Sequence, residues 1–298
     1  MKQELAMFAE QQGIRLLSEE PLSRYTTFRT GGPARWLALP ETGEQLCALL
    51  DFARAQAMHL AVIGKGSNLL ALDEGFDGLV IRTPEEAPVW LDECTVRAAA
   101  GYSLSRLSAL AAERGLAGLT FAQGIPGTVG GAVVMNAGAY GGQLADTLIS
   151  GTCHTPEGLR QLSAEEHQLG YRTSVYAEHP LWTVLYAVLR LTPGDRTQIQ
   201  AEMADYAARR REKQPLEYPS AGSTFKRPEG HFAGKLIEDC GLKGFTVGGA
   251  QVSEKHAGFV INRGGATSSD ILRLIEQVQR RVQAETGILL EPEIRILK

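Results

Sequence analysis

The sequence predicts an α+β fold with more than one lobe, and three observations support this prediction. Helical and strand-like patterns alternate along the 298 residues, a length that suits about two domains. Two glycine-rich loops each follow a short apolar run that is typical of a strand. After the turn sequence Thr192–Asp195, the remaining residues have their own pattern of helices and strands.

The first lobe is predicted from one helix and two strands. Thr42–Ala57 has the periodicity of a helix, with Leu46 and Leu49 on its apolar face. Leu60–Ile63 is a short buried strand that leads directly into a glycine loop, and Leu79–Arg82 is a second strand.

The second lobe has the same mixed character. Thr95–Ala100 is predicted as a strand, and a helix follows over Leu104–Arg114 with Ser103 as its N-cap. Ile149–His154 and Trp182–Leu191 are predicted as further strands.

The C-terminal region begins with a long charged helix over Thr197–Lys213, which ends before Pro215. The capping sequence Thr267–Asp270 predicts the start of a second long helix. The elements predicted after Pro215 are a helix near Ala233–Cys240, strands near Thr246–Val252 and Gly258–Asn262, a helix over Ser269–Thr286 and a closing strand over Pro292–Leu297.

Composition excludes several classes of protein. The net charge of −4 gives no basic field for nucleic acid, and no apolar run approaches the ~20 residues of a membrane span. The N-terminus lacks the apolar core of a signal peptide, and the four cysteines contain no CxxC pair. From these features we expect a cytoplasmic protein. The six histidines show no HxxxH spacing, so no metal site is expected. The oligomeric state is left open.

The glycine-rich loops are the most informative feature of the chain. Seven glycines fall within Gly124–Gly142, and the sequence GKGSN occupies Gly64–Asn68. Because glycine lets the main chain lie directly against a ligand, the pair suggests that N–H groups grip a phosphate-bearing cofactor. The alternative is that both loops are only tight turns.

Neither loop matches the common nucleotide motifs. Leu69 stands where a dinucleotide-binding Rossmann loop has its third glycine, and the Walker sequence GxxxxGK[ST] is missing. Ser67 and Asn68 have side chains able to bond phosphate oxygens. They are about equally suited to holding the shape of the loop.

Six motifs occur in a fixed order from about residue 22 to the C-terminus. In this order the chain resembles the UDP-N-acetylenolpyruvoylglucosamine reductases, the flavoenzymes of peptidoglycan precursor synthesis, in the shorter subgroup that lacks an inserted substrate loop after Arg172. The motifs are TTFRTGG at 26–32, GKGSNLL at 64–70, the run 124–142, YRTS at 171–174, GSTFK at 222–226 and EPEIR at 291–295.

The resemblance implies a two-lobed FAD-binding domain like that of the vanillyl-alcohol-oxidase flavoproteins, plus a C-terminal α+β substrate-binding domain. We place the two lobes at residues 1–83 and 84–194 and the C-terminal domain at 195–298. FAD is expected to be non-covalent, because neither glycine loop contains the histidine that tethers it in some relatives. The implied FAD-binding residues are Gly64, Lys65, Gly66, Ser67, Asn68, Leu69, Gly124, Thr128, Gly130, Gly131, Asn136 and Ala137.

The implied reaction reduces an enolpyruvyl ether on a UDP-sugar, with NADPH as co-substrate in the substrate's own cavity. Ser223 matches the family's proton donor, Arg172 its cationic stabiliser and Glu293 its acidic partner. Considered individually, these residues would more often be a turn hydroxyl, a surface arginine and an exposed strand glutamate. Facing a substrate carboxylate in a dry pocket, Glu293 would have a raised pKa and act as a neutral hydrogen-bond donor.

The pyrophosphate of the sugar requires cations, and the sequence offers candidates. Lys213 and Arg227 are the expected substrate-binding residues, although Arg227 stands where many relatives have asparagine. Both could instead be solvated basic side chains, and His256 is a further candidate.

Two other functions stay open from the sequence. One is a different flavin oxidase or dehydrogenase on the same scaffold, which the constellation of Ser223, Arg172 and Glu293 argues against. The other is a nucleotide-binding regulatory protein without turnover, which a colourless protein unable to take up FAD would favour.

Overall fold

The computed structural model describes residues 2–298 and contains both helices and sheets, as predicted. Its α-helices are α1 Lys2–Gln11, α2 Gly43–Ala55, α3 Leu104–Glu113, α4 Val129–Met135, α5 Arg196–Lys213, α6 Ala233–Asp239 and α7 Ser268–Thr286. Its strands are β1 Arg15–Pro21, β2 Pro33–Leu39, β3 Leu60–Ile63, β4 Leu69–Ala71, β5 Phe76–Arg82, β6 Val89–Trp90, β7 Thr95–Ala99, β8 Leu116–Ala117, β9 Gly138–Ala139, β10 Gly142–Gln143, β11 Leu148–Thr155, β12 Gly158–Ser163, β13 Thr183–Arg190, β14 Thr192–Pro193, β15 Ser220–Ser223, β16 Thr246–Val247, β17 Ala250–Val252, β18 Phe259–Asn262 and β19 Arg295–Leu297.

The chain forms two compact units, each assembled from separate stretches of sequence. Unit 1 comprises the residues up to Ser18, Trp36–Lys65 and Gly78–Ala208, and unit 2 comprises Glu19–Arg35, Gly66–Asp77 and Arg209–Lys298. The predicted boundaries at 83/84 and 194/195 stay predictions.

Unit 1 is built around an antiparallel sheet of order β12-β11-β13-β7-β6. Helices α3 and α4 contribute to its core, in which Leu104, Leu107 and Val133 are fully buried. Burial of such side chains contributes roughly 1.5–3 kcal/mol each. The sheet and its helices therefore give a rigid support to the glycine run that contains α4.

A second sheet has the order β1-β2-β5-β3, with β3 and β5 parallel. Helix α2 begins at its N-cap Thr42, whose side chain accepts a hydrogen bond from the Gln45 N–H at 3.2 Å. Leu46 and Leu49 are buried on the inner face of α2, as the periodicity predicts. The first glycine loop begins where β3 ends in this sheet.

Unit 2 contains an antiparallel sheet of order β15-β18-β17-β16 and the helices α6 and α7. The predicted capping sequence is confirmed: Thr267 and Asp270 form a reciprocal capping box at the start of α7. Gly287 ends this helix in the left-handed conformation with φ 74°.

The structure corrects two details of the predicted elements. Thr246–Val252 is a hairpin of β16 and β17 rather than one strand, because Gly248 has a φ of 56° and reverses the chain. The closing strand begins only at Arg295, after a bend at Ile294. That bend breaks the alternation that one strand over Pro292–Leu297 would have, and Ile296 is 48% exposed.

Among residues 2–298, no helix combines the length and the apolar character that crossing a bilayer would require.

Candidate active site

The two glycine loops come together in unit 1. Gly64 follows β3, and a Cβ atom placed on it would lie 2.5 Å from Oγ1 of Thr128 in the second loop. A real Cβ atom does not approach another atom so closely, so any side chain at residue 64 would push the loops apart. Lys65 follows as a half-buried residue.

The second loop contains helix α4, which was not predicted. Thr128 is its N-cap and accepts a hydrogen bond from the Gly131 N–H at 3.3 Å. A Cβ on Gly130 would lie 2.7 Å from the Ala100 Cβ, so this glycine allows α4 to pack closely against the end of β7. Gly124 precedes the helix with a φ of 76°.

The end of α4 is held by Asn136 and Ala137. Asn136 is buried and has a φ of 39°, the left-handed conformation that asparagine tolerates better than most residues. Its Nδ2 donates to Gln143 Oε1 and to the Gly170 carbonyl, both at 3.0 Å. The Ala137 carbonyl accepts a hydrogen bond from the Leu144 N–H at 2.9 Å.

Arg172 lies in a tight turn whose ends, Gly170 and Thr173, pair with each other through their main chains. Its φ of 56° is unusual for a residue other than glycine. The guanidinium donates to the Gly138 carbonyl at 3.0 Å through Nη2 and to the Asn136 carbonyl at 3.4 Å through Nη1. Arg172 is therefore positioned by the same loop that contains α4.

In unit 2, Gly66 begins the rest of the first loop, Gly66–Leu69. Gly66 has a φ of 62°, and a Cβ on it would lie 2.1 Å from the Tyr25 carbonyl oxygen. Its own carbonyl accepts a hydrogen bond from the Thr27 N–H at 3.2 Å. The TTFRTGG motif therefore supports the first glycine loop. Ser67 and Leu69 lie half-buried within it.

Asn68 connects this loop to the C-terminal segment of unit 2. Its Nδ2 donates to the Glu293 carbonyl at 3.1 Å, and its own carbonyl accepts from the Arg295 N–H at 2.9 Å. Two hydrogen bonds from one residue thus fix the main chain on either side of Ile294.

Ser223 stands at the end of β15, just after a β-bulge. Ser220 pairs with Ile261 and Ser223 with Phe259, so an advance of three residues along β15 lies opposite an advance of two along β18. Gly222 takes up the extra residue with a φ of 75°. Such bulges redirect the next side chain, and Ser223 is exposed rather than packed in the core.

Ser223 and Glu293 lie on neighbouring segments of unit 2. The Glu293 N–H donates to the Thr224 carbonyl at 2.8 Å, and Phe225 pairs with Pro292. The Glu293 side chain is half-buried. Two residues that are seventy positions apart in the chain are therefore brought onto adjacent segments.

The candidate phosphate cations are also in unit 2. Lys213 is the exposed last residue of α5, and the guanidinium of the exposed Arg227 lies over the Phe232 ring at 4.4 Å. His256 accepts a hydrogen bond from the Gly258 N–H through Nδ1. Burial lowers the pKa of His256, so it adds no positive charge at neutral pH.

The geometry adds two features that sequence reasoning missed. These are the bond from Asn136 to the Arg172 turn and the bond from Asn68 to the Glu293 segment. Both involve an asparagine that was predicted as a cofactor contact, with support of the loop shape left open as the alternative for Asn68. An asparagine directly after a short apolar run, as in Val133–Asn136, is a signal for a left-handed helix end that could have located the first.

The residues of the two loops fit FAD. Gly64 and Gly66 in the first loop and Gly130 in the second have no space for a side chain, so each loop presents bare main chain of the kind that pyrophosphate groups approach. The individual FAD contacts stay predictions.

Replacement of Gly66 should test how strictly the first loop requires glycine. We expect Gly66→Ala to lose about 1–2 kcal/mol from the left-handed φ and a further ~1–3 kcal/mol from contact with the Tyr25 carbonyl. Gly230→Ala is the matched control, because Gly230 has a φ of 71° and open space around it. Urea unfolding with saturating FAD measures both, and equal losses would contradict the expected contact.

Comparison with known proteins supports the same assignment. Residues 34–162 match the model of an FAD binding domain, and residues 214–297 match that of the UDP-N-acetylenolpyruvoylglucosamine reductase C-terminal domain. The chain is 50% identical over 296 residues to the UDP-N-acetylenolpyruvoylglucosamine reductase of Agathobacter rectalis, covering 95% of this chain and 94% of that protein. The corresponding protein of Levilactobacillus brevis is 46% identical, with 95% and 93% covered.

A solved structure agrees with these sequence matches. The crystal structure of UDP-N-acetylenolpyruvylglucosamine reductase from Thermus caldophilus superimposes with a TM-score of 0.80 at 37% identity, covering 96% of this chain and 99% of that one. The predicted α+β fold class, an FAD-binding domain followed by a distinct C-terminal domain, is confirmed. The chain belongs to the UDP-N-acetylenolpyruvoylglucosamine reductase family of flavin-dependent oxidoreductases.

Proposed function

We propose that this protein reduces the enolpyruvyl group of UDP-N-acetylenolpyruvoylglucosamine to give UDP-N-acetylmuramate, with NADPH as the reductant, in the bacterial cytoplasm. The observation that carries the proposal is the placement of Ser223 beside the Glu293 segment, joined by the 2.8 Å bond from Glu293 N–H to the Thr224 carbonyl. Reduction of an activated alkene needs a proton donor held near the reacting carbon, the role proposed for Ser223, and an acid beside it could stabilise the charge that develops.

FAD would be held non-covalently by the two glycine loops and would supply the hydride when bound. The predicted set is Gly64 to Leu69 with Gly124, Thr128, Gly130, Gly131, Asn136 and Ala137. Lys213 and Arg227 would neutralise the pyrophosphate of the sugar.

Ser223 would donate the proton to the carbon beside the substrate carboxylate. A serine hydroxyl is a weak acid, so its contribution depends on being held within hydrogen-bond reach of a strongly basic carbon. The bulge at Gly222 supports this role, because the main chain itself sets the direction of the Ser223 side chain.

Arg172 would bind the substrate carboxylate and stabilise the negative charge that develops there. Its fixed turn and its two carbonyl contacts hold the guanidinium ready before substrate arrives. Such preorganised charge is commonly the largest single contribution to a rate enhancement.

Glu293 would act as a neutral acid that donates a hydrogen bond to this charge. Activity should then fall as the pH rises through the pKa of the acid in the complex, since only the protonated form donates. We expect Glu293→Gln to slow turnover and to remove this alkaline limb, whereas Glu293→Asp should be slower but keep it. Glu291→Gln, two residues away and paired with Lys226 at 2.5 Å, is the control that should match wild type. Unchanged turnover in Glu293→Gln would exclude a required acidic proton.

The overall test is anaerobic and follows the flavin itself. The purified yellow protein is reduced with NADPH, and the UDP-enolpyruvyl sugar is then added. Return of the oxidised spectrum supports the proposal. Flavin that stays reduced with this sugar, but is reoxidised by another acceptor, would instead indicate a different flavin oxidase or dehydrogenase.

A further inference from the structure

Asn136 is a buried polar residue whose hydrogen-bonding groups are engaged by the protein itself. Its main-chain N–H donates to Val133, and its Oδ1 accepts from the Ala145 N–H at 3.0 Å. Nδ2 uses both hydrogens, one to Gln143 and one to Gly170. The Asn136 side chain therefore links the end of α4 to the segment Gln143–Ala145 and to Gly170, all within unit 1.

The contact with Gly170 bears directly on the turn that presents Arg172. The Gly170 carbonyl closes this turn by accepting a hydrogen bond from the Thr173 N–H at 3.4 Å, and it also accepts the Asn136 Nδ2 hydrogen at 3.0 Å. Arg172 occupies the third position of the turn with a positive φ, where glycine is usual. Such a conformation persists only where the surroundings fix it, and Asn136 supplies the shorter of these two bonds.

The same residue also contacts the head group of Arg172. The Asn136 carbonyl accepts a hydrogen bond from Nη1 at 3.4 Å, while the Gly138 carbonyl two residues later accepts from Nη2 at 3.0 Å. Asn136 thus contacts both ends of Arg172, its turn through the amide and its guanidinium through the main chain.

We propose that Asn136 is a positioning residue that aims the Arg172 guanidinium at the substrate carboxylate. The inference rests on the role of Arg172 in the proposed function, and it assigns to the Asn136 side chain a task in the reaction that is separate from any contact with FAD. Loss of the amide would leave Arg172 charged and present but less well placed, and misplacement by about 1 Å can cost ~10²-fold in rate.

The choice of variant follows from the main chain. Asn136→Gly keeps the left-handed helix end, which glycine adopts without strain, and deletes only the side chain. Asn136→Asp keeps an oxygen for the Ala145 N–H but places a carboxylate oxygen against the Gly170 carbonyl. Gln143→Ala removes another partner of Asn136 and leaves the bond to Gly170, so it serves as the control.

The experiment compares these variants with Arg172→Ala in the anaerobic holoenzyme. We expect Asn136→Gly and Asn136→Asp to be reduced by NADPH at the wild-type rate but reoxidised by the enolpyruvyl sugar roughly 10- to 100-fold more slowly. In the Arg172→Ala background, Asn136→Gly should add no further slowing, because it acts through the missing guanidinium. Gln143→Ala should resemble wild type.

A binding measurement gives a second readout that needs no turnover. Calorimetry on the oxidised holoenzyme compares the enolpyruvyl sugar with UDP-N-acetylglucosamine, which lacks the carboxylate. Asn136→Gly should lose preference for the carboxylate-bearing ligand while its flavin spectrum stays unchanged. Its melting temperature should fall, because the Ala145 N–H and the Gly170 carbonyl lose a buried partner.

The outcomes separate the two hypotheses. Slow reoxidation in Arg172→Ala with normal reoxidation and normal ligand preference in Asn136→Gly would overturn the inference and leave the proposed function intact. Additive slowing in the double variant would also overturn it. Normal reoxidation in Arg172→Ala would refute the role of Arg172, and the positioning role would fall with it.

Discussion

Ser223→Ala should leave flavin reduction by NADPH intact and slow the sugar-dependent reoxidation by roughly 10²- to 10⁴-fold, the range that general acids contribute. The expected loss is large because an alanine at the end of β15 has no proton to give. Stopped-flow absorbance of the reduced holoenzyme, mixed anaerobically with the enolpyruvyl sugar, measures the rate.

Ser220→Ala is the matched control for this variant. Ser220 is a serine on the same strand but lies before the bulge at Gly222, so its removal should not alter proton delivery. If Ser223→Ala were reoxidised as fast as Ser220→Ala, another group or water would have to supply the proton.

Arg172→Ala should give the second large effect. We expect reoxidation by the sugar to be about 10²- to 10³-fold slower, as when one preorganised charge-stabilising group is removed from a site. Arg172→Lys should recover only part of the rate, because an ammonium cannot reproduce the planar two-point geometry of a guanidinium. The same anaerobic mixing experiment measures both variants.

Arg160→Ala controls for the general loss of an arginine from unit 1. Arg160 is half-exposed on β12, where it pairs with Glu166 at 3.1 Å and lies over the Trp182 ring. Its removal should leave both half-reactions unchanged. Equal rates in Arg172→Ala and Arg160→Ala would exclude a special role for Arg172.

Local elements were predictable where one stretch of sequence determines them. The α7 start follows from Thr267 and Asp270, which cap the helix within four residues. Helix α4 was missed because five of its seven residues, two glycines and three valines, have low helix propensity. Close packing of Gly130 against Ala100 compensates, and that contact lies thirty positions away in the chain.

The residues of the candidate site could be proposed from the sequence, but the contacts between them could not. The order of motifs was sufficient to propose Ser223, Arg172 and Glu293. It could not reveal that Glu293 pairs beside Thr224, since strand pairing between distant segments is decided by tertiary packing. Nor could it reveal the bond from Asn136 to Gly170, because a left-handed turn at Arg172 has no glycine to mark it.

The two hydrogen bonds of Asn68 have a consequence for how the protein could be altered. Hydrogen bonds at Glu293 and Arg295 join the loop proposed to bind flavin to the segment that contains the proposed acid, so the two should move together. A substitution selected at residue 68 to adjust cofactor affinity would therefore also shift the acid, so that flavin retention and the pH optimum would change together. Engineering one property without the other would need positions outside this link.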